Sequence, residues 1–266
     1  MTDTKRTVIV HYHIYKNSGT SFDHVLRHSF GDLHETFDGP YPFFLVDQLQ
    51  LGRVIRHRPQ IVAFSSHQIM FPQPSSLDFR VLGAVFLRHP ILRIGSIYRF
   101  KRQHADGTST SEAAQRLDFG PWVDYCLRDR LEVGQISNAQ TRYFAAPYGD
   151  IPLSAQRNGR MFYDLDTALR QLGGVEMLGR TESFERDVTR FARISAAHGL
   201  TMSLPDDLHR NVTEAAQGSI EDRVAALLDG MAPELVKRLM DANEQDLALY
   251  AEAGRLIAQS EASRLG

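Results

Sequence analysis

The apolar positions of the chain fall into short unbroken runs separated by longer helical patterns. Thr7-Val8-Ile9-Val10-His11-Tyr12-His13-Ile14 is rich in β-branched and aromatic residues and predicts a strand. A turn follows. Phe22, Val25, Leu26 and Phe30 then recur at helical spacing, which predicts a helix from Thr20 to Phe30 that Gly31 stops. Ile61-Val62-Ala63-Phe64 predicts a second strand, ending at Ser65-Ser66-His67. Val81 to Leu87 predicts a third strand with almost no alternation, and Val175 to Gly179 a fourth. Strands that are apolar throughout belong to parallel sheets covered on both faces. Helical patterns run from Pro121 to Arg130, from Ser183 to His198, and from Pro233 to Ala258, where proline suits the first turn.

This order of strand, helix, strand, strand, helices, strand and helices predicts an α/β fold, a mainly parallel sheet flanked by helices. The polar stretches His104–Ser111 and Tyr148–Gly159 read as surface loops and not linkers, so residues 1–266 are expected to form a single domain.

Composition narrows the function classes. Hydrophobic residues make up 42% and charged residues 23%, an ordinary globular balance with enough apolar side chains for a sizeable core. A net charge of -2 argues against general nucleic-acid binding, which needs a broad basic surface. It leaves room for a local basic pocket. The one cysteine, Cys126, cannot form an internal disulfide and sits in an apolar run that suggests a core position. The apolar run after Arg6 is too short for a signal core or membrane span, and His11 and His13 interrupt it. A cytoplasmic protein without a membrane span is therefore expected. Asn211-Val212-Thr213 is a formal glycosylation sequon, expected to be unmodified in that setting.

Two constellations carry the chemistry. The first is the turn Lys16-Asn17-Ser18-Gly19-Thr20-Ser21 between the first strand and its helix. Free N–H groups at a helix start and the helix dipole together bind anions. Gly19 would allow close backbone approach to a phosphate, Thr20 and Ser21 add hydroxyl donors, and Lys16 adds charge. The turn is not a Walker A loop, because threonine follows Gly19 and the lysine sits at the start. On local pattern alone, a simple capped turn explains it equally well.

The second constellation lies where the third strand ends in Arg88-His89-Pro90. Arg88 would stand at the carboxyl end of a central strand, where open α/β sheets bind ligands. Ser96 follows about two helical turns later, and Arg93, Arg99 and Lys101 add positive charge. An arginine fork and a hydroxyl suit a phosphate. A surface arginine and an ordinary helix serine are the alternative.

Together these residues resemble a known family. His13 to Ser21 resembles the 5′-phosphosulfate loop of sulfotransferases that use 3′-phosphoadenosine 5′-phosphosulfate (PAPS). Val85 to Pro90 with Arg93, Ser96, Tyr98 and Arg99 resembles their 3′-phosphate motif, Arg-x-Pro-x-x-Arg-x-x-Ser-x-Tyr. The resemblance is strongest to the carbohydrate branch that includes heparan sulfate 2-O-sulfotransferases and bacterial relatives. Ser66-His67-Gln68, Asn138 to Tyr143, Leu178 to Glu182 and Asp246 to Tyr250 also resemble segments of that branch, although Ser66 stands where it often has glycine.

The resemblance implies a P-loop-like sulfotransferase domain over residues 1–266 that moves a sulfuryl group from PAPS to a hydroxyl. Positioning and charge stabilisation would supply most of the catalysis. Lys16 would stabilise the leaving phosphate. Asn17, Ser18, Gly19, Thr20 and Ser21 would hold the 5′-phosphate, and Arg88 and Ser96 the 3′-phosphate. His67 would be the general base, since imidazole titrates near neutrality. Asn138 and Arg142 would line the substrate site, with Glu182 beside it. No metal is required, and a metal reading of His11 and His13 lacks further ligands at clear spacing. The acceptor would be a glycan or small hydroxylated molecule, in a pocket shaped by Phe37–Phe44 and His104–Ser111. The rival readings are an ATP- and Mg²⁺-dependent P-loop phosphotransferase and a non-catalytic module that binds the desulfated product, 3′-phosphoadenosine 5′-phosphate (PAP).

Overall fold

The computed structural model describes residues 5–39, 45–145, 156–157, 160–206 and 218–262. The first predicted strand is β1 (Arg6–Tyr12), and the predicted helix after it is α1 (Gly19–Phe30). A short strand, β2 (His34–Thr36), and a helix, α2 (Gln48–His57), precede β3 (Ala63–Ser66). Next come β4 (Phe79–Leu87), α3 (Pro90–Gln103), α4 (Ser109–Arg116), α5 (Phe119–Arg128), α6 (Val133–Ile136) and α7 (Ala139–Ala145). A two-residue antiparallel pair, β5 (Gln156–Arg157) and β6 (Arg160–Met161), leads to α8 (Leu165–Gly173). The described chain closes with β7 (Met177–Arg180), α9 (Phe184–Ala196), α10 (Ile220–Leu228), α11 (Pro233–Ala242) and α12 (Glu244–Ala262).

The fold is α/β, as expected. Five strands form one parallel sheet in the order β2-β3-β1-β4-β7. Strand β1 is buried on both faces, which is why its sequence scarcely alternates. Val8, Val10 and Tyr12 enter one core with Leu51 of α2, Leu172 of α8 and Leu249 of α12. Ile9 enters the opposite core with Phe22, Val25 and Leu26 of α1 and Phe191 of α9. A third core gathers α3, α4, α5 and α11 around Trp122, whose indole N–H donates to the Thr110 carbonyl at 2.9 Å. Cys126 is buried there, as its sequence context suggested.

The connections from β1 and β4 leave in opposite directions across the sheet. The chain passes from β1 to β2 on one side and from β4 to β7 on the other. Such a switch point, at the carboxyl ends of the adjacent strands β1 and β4, is where open α/β sheets form their ligand crevice.

Several boundaries differ from expectation. Neither β2 nor α2 was predicted. His34-Glu35-Thr36 is polar because β2 is an edge strand. The apolar pattern of α2 is broken by Gly52, although the helix itself is continuous and starts at a capping box in which the Asp47 carboxylate accepts from Leu49 and Gln50 N–H. The polar stretch His104–Ser111 is a loop only as far as Thr108, which caps α4. The predicted helix from Pro233 to Ala258 is two helices broken at Asn243, whose amide donates to the Ile136 and Leu239 carbonyls. Most of Tyr148–Gly159, all of the Asn211 sequon and part of Phe37–Phe44 lie outside the described residues. Among the described residues no helix is long and apolar enough to cross a membrane.

Candidate functional site

Both sequence constellations reach the crevice. After Tyr12 the chain makes a tight turn, and Lys16 (φ 64°) and Ser18 (φ 61°) both take left-handed backbone conformations. Such residues cost on the order of 1–3 kcal/mol each and persist where surrounding structure holds them, commonly at functional sites. Ser18 is the N-cap of α1, and its carbonyl accepts the Phe22 N–H. The preceding amides at the helix start thus face away from the helix.

Gly19 carries a packing constraint besides the close backbone approach expected of it. The left-handed positions are at Lys16 and Ser18, not at Gly19. What demands glycine is the His13 ring, which lies where a side chain on Gly19 would begin. The turn therefore packs directly on an imidazole.

Arg88 follows β4 and ties the two constellations together, since its Nη1 donates to the Lys16 carbonyl at 3.1 Å. Its Nε is buried without a partner among the described residues. Burial lowers the Arg88 pKa to about 10. Glu182 opposes this, and Arg99, Arg223 and Arg93 reinforce it. Lys16 is also lowered, first by burial and then by Arg88 and Arg99. Arg99 is lowered by burial and by Arg223. The Lys16 ammonium lies 4.3 Å from the Phe100 ring centroid, a cation–π contact, and no counter-ion pairs with it among the described residues. A half-buried set of cations that depress one another, with Glu182 as the nearby acid, has the electrostatics of an anion site. Arg223 lies far along the sequence on α10, and no local pattern pointed to it.

Ser96 sits half-buried on α3 next to Gly95, where Leu227 of α10 packs. The other motif positions have structural work. Arg93 is buried and donates to the carbonyls of Tyr15 and Gln135, at 3.0 and 2.7 Å. Tyr98 donates to the Leu117 carbonyl.

His67 lies just beyond β3 at the same sheet edge. Its Nδ1 is 2.8 Å from the His13 carbonyl, an acceptor, so Nδ1 carries the proton and Nε2 keeps a free lone pair. Burial lowers the His67 pKa and His13 lowers it further, against Asp38 and Asp23. Burial and His13 thus favour the neutral imidazole, and the His13 carbonyl sets the tautomer a base needs.

Asn138 and Arg142 fare differently from each other. Asn138 is buried, and its amide is committed to the fold. Nδ2 donates to the Met161 carbonyl, and Oδ1 accepts from Gln245 and Asp246 N–H, capping the start of α12. These bonds join α7, β6 and α12 into one framework. Arg142 is half-buried one turn later.

The residue that matters in this segment is Gln140, which sequence reasoning passed over. Its Oε1 accepts from Asn17 Nδ2 at 2.7 Å and from the Arg88 N–H at 2.9 Å. Its Nε2 donates to the Arg88 carbonyl at 2.9 Å. One buried amide thus fixes both constellations. Asp246 supports it by accepting from the N–H groups of Gln140 and Thr141. Glu182 accepts from the His89 N–H and the Tyr250 hydroxyl. The segments around Asn138, Glu182 and Asp246 therefore form one bracket behind the crevice.

Among the described residues, His11, His13 and Asp23 place three potential metal-ligand atoms within 4.8 Å of one another. In this structure they bond to each other. Asp23 of α1 accepts from Nδ1 of His11 at 2.8 Å and from Nδ1 of His13 at 3.1 Å. His11 and His13 share a face of β1 and its extension, as their spacing indicated. Asp23 was not anticipated, because only the packing of α1 brings it to them.

No known family model matches the chain. An uncharacterized protein of Archaeoglobus fulgidus is 25% identical over 249 residues, covering 92% of this chain and 95% of that one.

Proposed function

We propose that this protein is a PAPS-dependent sulfotransferase. The observation that carries the reading is the union of two anion-binding turns at the carboxyl ends of adjacent parallel strands, bonded to each other through Arg88 and Lys16. A generic phosphate loop needs only one such turn. Two suit a nucleotide with phosphates at separate positions, and the cations Lys16, Arg88, Arg99 and Arg223 suit its charge.

In the proposed reaction an acceptor hydroxyl oxygen attacks sulfur in line. The bond from sulfur to the bridging phosphate oxygen breaks, and PAP leaves with the electron pair. Lys16 and the N–H groups of Ser18 to Ser21 stabilise the charge developing on that phosphate. Arg88 and Ser96 hold the 3′-phosphate. The acceptor proton passes to Nε2 of His67, whose tautomer is set by the His13 carbonyl. The acceptor is a glycan or small hydroxylated molecule, and a cytoplasmic location belongs to the same proposal.

An ATP- and Mg²⁺-dependent reaction is supported less well. Strand β3, next to β1, ends in Ser65-Ser66 with no carboxylate of its own for a magnesium ion, and the acid that reaches this end, Asp38, is engaged by the Ser66 hydroxyl and the His67 N–H. The deciding experiment is thermal denaturation with PAP, followed by mass spectrometry of products from PAPS and a mixed hydroxyl library. PAP should raise the midpoint without magnesium. Arg88→Ala should weaken PAP binding by about 10- to 150-fold, the loss of a hydrogen-bonded charge. No PAP-dependent shift at saturating concentration would reject the proposal.

A further inference from the structure

Beneath the phosphate turn lies a buried polar chain that the reaction above does not use. His34 Nε2 contacts Ser65 Oγ at 3.0 Å, and Ser65 Oγ contacts His11 Nδ1 at 3.3 Å. His11 and His13 then meet on the Asp23 carboxylate. The His13 ring lies against the His67 ring, with centroids 3.7 Å apart. Burying a carboxylate and several imidazoles is costly unless each is paired, and here they are.

His13 is the member that faces the site. The Asp23 carboxylate is held well below the usual range. Burial alone would raise it, but the hydrogen bonds from His11 and His13 outweigh that. An ionised carboxylate only accepts, so His13 Nδ1 must carry a proton. In a neutral His13 the opposite nitrogen, Nε2, is then a bare lone pair. That edge of the ring lies against Gly19, at the foot of the phosphate turn, and Nε2 has no hydrogen-bond partner among the described residues. An anion entering the turn would bring phosphate oxygens, also acceptors, up to this lone pair. Two acceptors repel, and one proton on Nε2 removes the conflict.

We propose that His13 is a proton-coupled ligand of the bound anion: when the 5′-phosphate of the nucleotide enters the Lys16–Ser21 turn, Nε2 of His13 takes one proton from solvent and donates it to a phosphate oxygen, with Asp23 balancing the imidazolium. The proposal rests on the nucleotide reading above. The groups facing His13 are Asp23 from α1, His11 from β1, His67 beyond β3 and Asp38 beyond β2. Without an anion, burial lowers the His13 pKa, with His11 acting in the same direction and Asp23 and Asp38 against it. The bound anion supplies the missing negative charge. The same step divides labour between the two stacked rings. A positive His13 opposes a second positive charge on His67, which keeps His67 neutral and able to accept the substrate proton.

The experiment is titration calorimetry of the full chain with PAP between pH 7 and 8.5, in buffers of different ionisation enthalpy. Wild type should take up close to one proton per PAP in part of that range, and PAP affinity should fall by up to tenfold per pH unit there. His67→Gln should keep the uptake. His13→Gln should lose it and show a flat pH dependence, and Asp23→Asn should reduce it. PAP binding with no proton uptake and pH-independent affinity overturns the assignment to His13 but leaves the nucleotide site standing. Uptake that persists in His13→Gln overturns it too. Should His13→Gln fail to fold, Asp23→Asn decides, and an undiminished uptake there overturns the assignment to His13. No PAP binding at all rejects the nucleotide reading and this proposal with it.

Discussion

Gln140 offers the sharpest test of the framework. Replacing it with alanine removes the acceptor of the Arg88 N–H and the donor to the Arg88 carbonyl, each at 2.9 Å. Asn17 Nδ2 keeps its second partner, the Phe86 carbonyl, so it is not stranded. Two backbone groups of Arg88 are left unpaired in a partly buried place, at about 1–2 kcal/mol each. The expected loss is thus about 2–4 kcal/mol. At about 2–4 °C per kcal/mol for a chain of this size, the thermal midpoint should fall by roughly 10 °C. The loss should also appear at the site, because Arg88 and Asn17 are no longer aligned, so the stabilisation by PAP should shrink. Gln140→Glu separates the donor from the acceptor. It keeps the acceptor for Asn17 and the Arg88 N–H but sets a second oxygen against the Arg88 carbonyl and Asp246. Its deficit relative to wild type should lessen as acid protonates it. Urea unfolding with and without PAP measures all of this. A Gln140→Ala variant within 1 kcal/mol of wild type, with an unchanged PAP response, would refute the bracket as a positioning device.

Other predictions follow from the site. His67→Ala should cut turnover by about 10²- to 10⁴-fold while PAP affinity stays within a few fold, as expected for a base that does not hold the nucleotide. Equal losses in both would assign it to binding instead. Gly19→Ala should cost about 1–3 kcal/mol through overlap with the His13 ring, and the cost should disappear in a His13→Ala background. A neutral single mutant would remove the steric argument. His34 should shape the acid response. Burial, joined by His11 and Arg27 and opposed by Asp23, brings its pKa down to about 4. The unfolded chain therefore binds the proton first, and stability should fall as pH drops from about 6.5 toward 4. His34→Gln should flatten that limb by up to one proton, measured from urea midpoints across pH. An unchanged slope would show that His34 does not contribute.

Much of the frame was legible because it is local. Continuous apolar runs announced β1, β3, β4 and β7, and helical spacing announced α1, α5 and α9. The two turns at Lys16 and Arg88 were legible for the same reason, since each is a contiguous segment with its own chemistry. What escaped has a common cause. Asp23, Gln140 and Arg223 act only through partners far away in sequence, and each looks ordinary in its own helix. The break at Asn243 escaped because periodicity on both sides is intact, and only the Ile136 carbonyl explains why an asparagine stops there. Strand β2 was hidden by its edge position, where burial on one side leaves no apolar signature.

The dependence of Gln140 on Asp246 has a consequence for synthesis. The two are 106 residues apart, and β7, the last strand of the main sheet, ends at Arg180, well before α12 begins at Glu244. A chain emerging from the ribosome can therefore assemble the whole sheet while the anion crevice still lacks its rear support. On the function proposed above, nucleotide capture becomes one of the last abilities the nascent protein acquires, and a chain cut short before Asp246 would carry the Lys16 and Arg88 turns without the means to keep them in register.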